Sequence, residues 1–270
     1  MSHDGLRRLE TDGIIVLPDR PFVLSDAESG LLRAPVSDGR AKNVSLDPSG
    51  AVVRGAAGCE EALGALMNRY AGWARALIVE VAPRYAQALQ RGRTSFRPRD
   101  AREAAASPRK DDRRLHADAF PSQPTGGKRL LRVFSNVNPA GESRLWRIGE
   151  PFEAYARRWL SQVRRPWPGE AWALHSLGIT RARRTAYDAL MLGLHDHAKL
   201  DADYQRLSPR RDIALPAGSS WIVFTDSLVH AALAGRFALE QTFYLPITAM
   251  EAPAASPLKI LERLAGRVLA

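Results

Sequence analysis

Arg113-Arg114-Leu115-His116-Ala117-Asp118-Ala119-Phe120-Pro121, RRLHADAFP in one-letter code, is the stretch on which the reading of the fold turns. Its alternation predicts a strand, and on a strand residues i and i+2 project to the same side. His116 and Asp118 can then converge on one atom. Two histidines and one carboxylate form the facial triad that holds non-heme Fe(II) by one face and leaves the other positions open. Taken alone, His-x-Asp is also the pattern of a surface pair, or of an ion pair with Arg113 or Arg114. A triad needs a second histidine, and His230 in TDSLVHAAL, on a late strand or turn, is the candidate. A jelly roll would bring the early and late strands side by side.

Working outward, KRLLRVFSNVNPAG alternates as a strand that stops at Asn138-Pro139, and SRLWRIGEPF reads as a second strand leading into a helix near residues 151–162. A further helix is predicted over about 181–200, and IALPAGSSWIVFTDSLVHAALAGRFALEQTFYLPI predicts three strands with Gly- and Asp-containing turns. On the N-terminal side, GIIVLPDRPFVL reads as a strand cut by prolines, and residues 25–57 as loops and short strands. From Cys59 to Arg91, Leu63, Leu66, Met67, Tyr70, Trp73, Leu77 and Val81 recur at helical spacing, with Pro83 dividing the region into two helices. AREAAASPRKDDRR is predicted as an exposed loop. The expected fold is α+β, a double-stranded β-helix (jelly-roll) core over about 94–250 with flanking helices. Helical and loop support occupies about 1–93 and a C-terminal helix about 256–270, all within one domain spanning 1–270.

The composition is that of a folding globular chain. Of 270 residues, 45% are hydrophobic and 25% charged, which excludes a mostly disordered protein. Lys and Arg outnumber Asp and Glu by 39 to 29, so an anionic partner is favoured without being specified: phosphate, carboxylate, nucleic acid or a lipid surface. The single cysteine, Cys59, excludes an intramolecular disulfide and cysteine-rich metal sites, leaving any metal to histidine and carboxylate. The apolar run Ile14 to Leu17 is too short for a signal-peptide core, and no segment approaches the roughly 20 apolar residues of a membrane span. The expected location is cytoplasmic.

Three other patterns resemble functional ones. GLHDHAKLD holds His195, Asp196 and His197, but on a helix i and i+2 point to nearly opposite sides, so a structural role is expected. PTGGKR lacks the spacing and the Ser or Thr of a phosphate-binding loop. The tail SPLKILERLAGRVLA sets Leu258, Leu261, Leu264, Ala265 and Val268 on one helical face, predicting a docked terminal helix; the alternative is a helix lying on an anionic membrane.

The stretches LHADAFPSQPTGGKRLLRVFSNVNPAGESRLWRIGEPFE, YDALMLGLHDHAKLDADYQ and SSWIVFTDSLVHAALAGRFALEQTFYLP span most of residues 94–250. Together they resemble the iron(II)/2-oxoglutarate dioxygenase superfamily and, more closely, the 3-deoxy-D-manno-oct-2-ulosonic acid (Kdo) 3-hydroxylase family. The resemblance implies that Fe(II), held by His116, Asp118 and His230, acts with 2-oxoglutarate and O2. Together they convert the C3 methylene of Kdo in the lipopolysaccharide inner core into a hydroxyl, releasing succinate and CO2. It further implies a Kdo-containing lipid A precursor as acceptor and peripheral contact with the cytoplasmic face of the inner membrane.

The distal carboxylate of 2-oxoglutarate needs a fixed cation, for which an arginine fork is suited. Many superfamily members place it about ten residues beyond the late histidine, a slot that here holds Glu240 and Gln241. Arg132, on the strand that supplies this cation in another branch, is the first expectation and Arg236 the second, with Asn136 on the same face as Arg132. Arg97, Arg144 and Trp146 are expected to recognise the anionic sugar, Arg144 and Trp146 sharing one face of their strand. The alternatives are solvated surface charge for the arginines and core packing for Trp146. Two competing functions remain at this point. One keeps the iron but acts on nucleic acid or protein, against which stand aromatics at 7% and no basic-aromatic interleaving. The other is a non-catalytic jelly-roll module binding anionic glycan or lipid, against which stands the intact triad.

Overall fold

The computed structural model describes residues 3–32, 36–103 and 107–270. Its strands, in chain order, are β1 (Ile14–Leu17), β2 (Val44–Leu46), β3 (Val53–Arg54), β4 (Gln90–Arg97), β5 (Arg129–Asn136), β6 (Arg144–Ile148), β7 (Arg211–Leu215), β8 (Ser220–Phe224), β9 (His230–Ala234) and β10 (Ala238–Leu245). Seven form an antiparallel sheet in the order β1-β8-β5-β10-β4-β2-β3, and three form a second sheet, β7-β6-β9.

Alternation along β5 divides the interior. Leu131 and Val133 join the apolar cluster made with Leu63, Leu66, Met67 and Tyr70 of the helix Glu60–Val81. Phe134 points the other way, into the space between the sheets, where it packs with Trp146, Ile148, Leu215 and Trp221. The smaller sheet therefore closes over one face of the larger while the long helix covers the other, as a folded-over jelly roll requires. A third cluster, with Tyr155, Trp159, Tyr187, Leu194 and Leu261, packs the helices Phe152–Trp159, Ala186–Leu200 and Pro257–Ala265 against Leu115, Ala117 and Ala231.

Several elements depart from expectation. The helix after Pro83 is only the 3-10 turn Pro83–Tyr85, and β4 follows from Gln90. RGRTSFR satisfies both periods locally, but Gly92, Thr94 and Phe96 are inward-facing strand positions. Because β1, β2 and β3 pair into the large sheet, the N-terminal region contributes sheet as well as support. The last dense stretch holds four strands, since β7 pairs with β6 in the small sheet. Of the expected loop AREAAASPRKDDRR, residues 104–106 lie outside the described residues; the flanking parts form the 3-10 turns Ala101–Glu103 and Pro108–Lys110. The C-terminal helix is docked: Leu258 and Leu261 are buried, and Arg263 pairs with Glu153 at 2.7 Å. Most of its apolar face is thus turned into the protein, against the alternative of a membrane-lying tail, while Val268 lies beyond the helix and is exposed.

Candidate active site

His116 and His230 meet as an antiparallel backbone pair. The His116 amide donates to the His230 carbonyl at 3.0 Å, and the His230 amide returns the bond at 2.8 Å. Two residues on, the Asp118 amide donates to the Thr225 carbonyl, beside the large sheet. RRLHADAFP is therefore a short bridge between the sheets, with its histidine registered against the late one. Ligand atoms of His116, Asp118 and His230 lie within 4.8 Å of one another.

The second coordination layer fits a cation. Nδ1 of His116 sits 2.7 Å from the Arg114 carbonyl, and Nδ1 of His230 2.8 Å from the Leu228 carbonyl. A carbonyl only accepts, so each Nδ1 carries the proton and each Nε2 keeps its lone pair for a metal. Burial, with His116 alongside, pushes His230 down to about 4, so the ring is neutral at pH 7. Burial disfavours ionisation of Asp118, yet the Arg132 guanidinium beside it holds its carboxyl well below the usual range. Asp118 Oδ2 faces Arg132 at 3.1 Å, while Oδ1 lies 3.3 Å from His116 Nε2, two lone-pair atoms turned toward each other with no proton between them. A divalent cation would use that Oδ1 and the two Nε2 atoms, so the residues fit the metal that their donor set implies.

The triad opens on a cavity of about 320 Å³ lined by charged groups of both signs. Glu240 organises one wall. On β10 it lies opposite Ser95 of β4 and Phe134 of β5, while Arg97 pairs with Ala238 and Arg132 with Thr242, so both arginines reach it diagonally. Arg97 donates to Glu240 from Nε at 2.8 Å and lies 3.6 Å from Asp112; Arg132 Nη1 is 3.2 Å from Glu240 and 3.1 Å from Asp118. Arg144 differs. It is 3% exposed and donates from Nη1 to the Gly235 carbonyl, its Nε has no partner, and no carboxylate pairs with it among the described residues. Burial, with Arg97 adding repulsion, pushes it down to about 10, still charged at neutral pH. Gly235 permits this placement, because at its φ of +107° an added Cβ would stand 2.9 Å from Arg144 Cα.

The cavity thus gathers Arg97, Arg132, Arg144 and Trp146 around the triad, but not Asn136 or Arg236. Asn136 spends its amide on the carbonyls of Glu142 and Leu215. Arg236 is exposed, lies over Phe237 at 4.2 Å and lines a separate cleft. The left-handed turn at Phe237, φ 57°, separates Arg236 from β10, which begins at Ala238 and carries Glu240. Trp146 is stacked on His230 at 5.0 Å and buried, so it braces a candidate metal ligand from the cavity wall. His195 is outside the triad, as expected of a structural residue, but packs edge-on against His116 at 5.4 Å. Sequence reasoning missed Asp112, Phe120, Thr242 and Tyr244 in the lining. Alternation from Glu240 through Thr242 to Tyr244 was the available signal.

Comparisons agree with this geometry. Crystal structures of KdoO, described as a Kdo hydroxylase and a non-heme Fe(II) α-ketoglutarate dependent dioxygenase, superpose over nearly the whole chain. Its complex with α-ketoglutarate and Fe(III) has TM-score 0.93 and 45% identity, covering 99% of this chain and 90% of that one. The cobalt(II) complex gives 0.94 and 46%, covering 98% and 90%; the succinate and Fe(III) complex gives 0.92 and 45%, covering 98% and 90%. Among curated proteins, none matches the chain. The profile of the 3-deoxy-D-manno-oct-2-ulosonic acid (Kdo) hydroxylase family matches residues 1–268, and with the fold shared over nearly its whole length, the chain belongs to that family.

Proposed function

We propose that this chain is an Fe(II)- and 2-oxoglutarate-dependent dioxygenase that hydroxylates the C3 methylene of Kdo on a lipid A precursor at the cytoplasmic face of the inner membrane. The observation that carries the reading is the cavity, in which a facial triad and a buried arginine without a carboxylate partner stand together. Membership of the family supports the sugar.

His116, Asp118 and His230 would hold the iron, which together with 2-oxoglutarate and O2 supplies the oxidising power to turn a C–H bond into C–OH. Arg144 is the anchor for a 2-oxoglutarate carboxylate, in preference to Arg132 or Arg236. A buried guanidinium lacking an internal counter-charge is stabilised by an incoming anion, whereas Arg132 is committed to Asp118 and Glu240. Arg97 and Arg132 keep Glu240 and Asp118 ionised and in position. The acceptor sugar is assigned to the rim, where Asn43, Arg93 and Tyr244 line the cavity and Arg93 is exposed. Seating it there excludes water and fixes which C–H bond is nearest the metal.

The test is mass spectrometry of a Kdo–lipid A acceptor incubated with the protein, Fe(II), 2-oxoglutarate and O2. One oxygen atom added at C3 is expected, and none with His230→Ala. Succinate formation with an unmodified sugar would overturn the substrate assignment.

A further inference from the structure

Residues 164–184, RRPWPGEAWALHSLGITRARR, form an arm around the short helix Glu170–Ser176. It exposes large apolar side chains that a folded chain ordinarily hides: Trp167 is 65% exposed, Trp172 58%, Leu177 74% and Ile179 52%. Single exposed apolar residues are ordinary, but four within one short arm mark a surface that is covered in use. The arm carries five arginines against one glutamate. Arg164 pairs with Glu170 at 2.7 Å, while Arg165, Arg181 and Arg183 have no ion-pair partner among the described residues.

The arm is fastened to the lip of the active-site cavity. The Arg181 amide donates to the Ser122 carbonyl at 2.9 Å and the Arg184 guanidinium to the Pro121 carbonyl, and Pro121 and Ser122 both line that cavity. Beneath the arm a cleft of about 420 Å³ brings Arg165, Arg184 and Arg267 beside Leu174. Whatever covers the arm is therefore held next to the mouth.

We infer that this arm docks the protein on an anionic phospholipid bilayer, with the tryptophans, Leu177 and Ile179 entering the interface and Arg165, Arg181 and Arg183 meeting headgroup phosphates. Tryptophan combines an apolar body with a polar N–H and favours the membrane–water boundary. Unpaired charge of one sign complements a uniformly anionic surface, and the arm offers no unpaired acid to pattern a contact with a mixed-charge protein. No described helix is long and apolar enough to cross a membrane, so the contact is peripheral. The inference rests on the lipid-linked acceptor for its purpose, but not for its test.

The experiment is co-sedimentation of the full chain with Kdo-free vesicles, of phosphatidylcholine alone or with phosphatidylglycerol, alongside turnover of a de-acylated, water-soluble Kdo acceptor. Binding is expected only to the vesicles containing phosphatidylglycerol. Trp167→Ser with Trp172→Ser should lower partitioning at least about tenfold, and Arg181→Glu with Arg183→Glu at least about tenfold, from about fivefold per cation lost. Both variants should turn over the soluble acceptor within about twofold of the parent protein. Failure of the parent to bind anionic vesicles, undiminished binding by both variants, or a dimer that the tryptophan variant dissolves would overturn the inference. Vesicle binding without Kdo hydroxylation would instead sink the substrate assignment and leave the docking face standing.

Discussion

Asp118 and Arg132 form an ion pair of 3.1 Å inside the protein, and one of the two is also a candidate metal ligand. Arg132 also serves Glu240. Removing one partner of a buried pair strands the other's charge, which typically costs about 3–5 kcal/mol. Arg132→Met should therefore lower stability to urea by about that amount and weaken Co(II) binding, because Asp118 loses the cation that orients it. Arg132→Lys should recover part of both. Urea titration and metal titration read the two effects, and a Met variant as stable as the parent protein would remove Arg132 from its bracing role.

The C-terminal helix provides a pH prediction on ground remote from the metal. Glu153 is pulled down to about 2 from an ordinary glutamate value by hydrogen bonds from Arg263 of that helix and from Arg157. A carboxyl whose folded value is depressed contributes stability present above its unfolded value, about 4.3, and lost as pH falls through the folded one. Protection of the amides of residues 257–265, measured against their intrinsic exchange rates at each pH, should therefore fall between about pH 4.5 and pH 2. Glu153→Gln should be less protected at pH 7 and lose that pH dependence.

How much of this was legible depends on the range of the interaction. His116 and Asp118 were readable because their convergence is a property of three consecutive residues. Arg132 facing the cavity followed from alternation along β5 in the same way. Glu240 was not readable, since its role depends on β10 lying between β4 and β5 at one register, which brings Arg97 and Arg132 to it from strands far apart in sequence. Arg236 misled because a spacing rule assumes that a strand continues, and here the chain turns at Gly235 and Phe237. Trp146 was placed on the correct face, yet that it stacks on His230 depends on the pairing of β6 with β9.

That stacking makes Trp146 a positioning residue with its own test. The groups behind a metal ligand typically govern affinity by about tenfold to a hundredfold. Trp146→Leu should weaken Co(II) binding by about that factor and alter the visible spectrum of the cobalt site as His230 gains freedom. Trp146→Phe, which keeps a flat ring against the imidazole, should lie close to the parent. Equal cobalt spectra for Leu and parent would reduce Trp146 to packing.

Arg144 distinguishes a ligand-binding arginine from a structural one by the sign of its effect on stability. Its guanidinium is buried without a carboxylate among the described residues, so the ligand-free protein carries an uncompensated charge. Arg144→Met removes that charge while keeping an apolar stem of similar length. Without ligand, the variant should melt no lower than the parent, the reverse of the loss expected for Arg132→Met. With 2-oxoglutarate, the variant loses a charge-assisted hydrogen bond worth about 1.5–3 kcal/mol, raising the co-substrate requirement roughly tenfold to a hundredfold. Melting with Co(II), with and without 2-oxoglutarate, checks both halves, since the parent should gain stability on adding the co-substrate and the variant should gain little. A Met variant that melts lower without ligand and still responds fully to 2-oxoglutarate would make Arg144 a structural residue. The anchor would then have to be sought between Arg97 and Arg132, whose carboxylate partners would need to yield when the co-substrate enters.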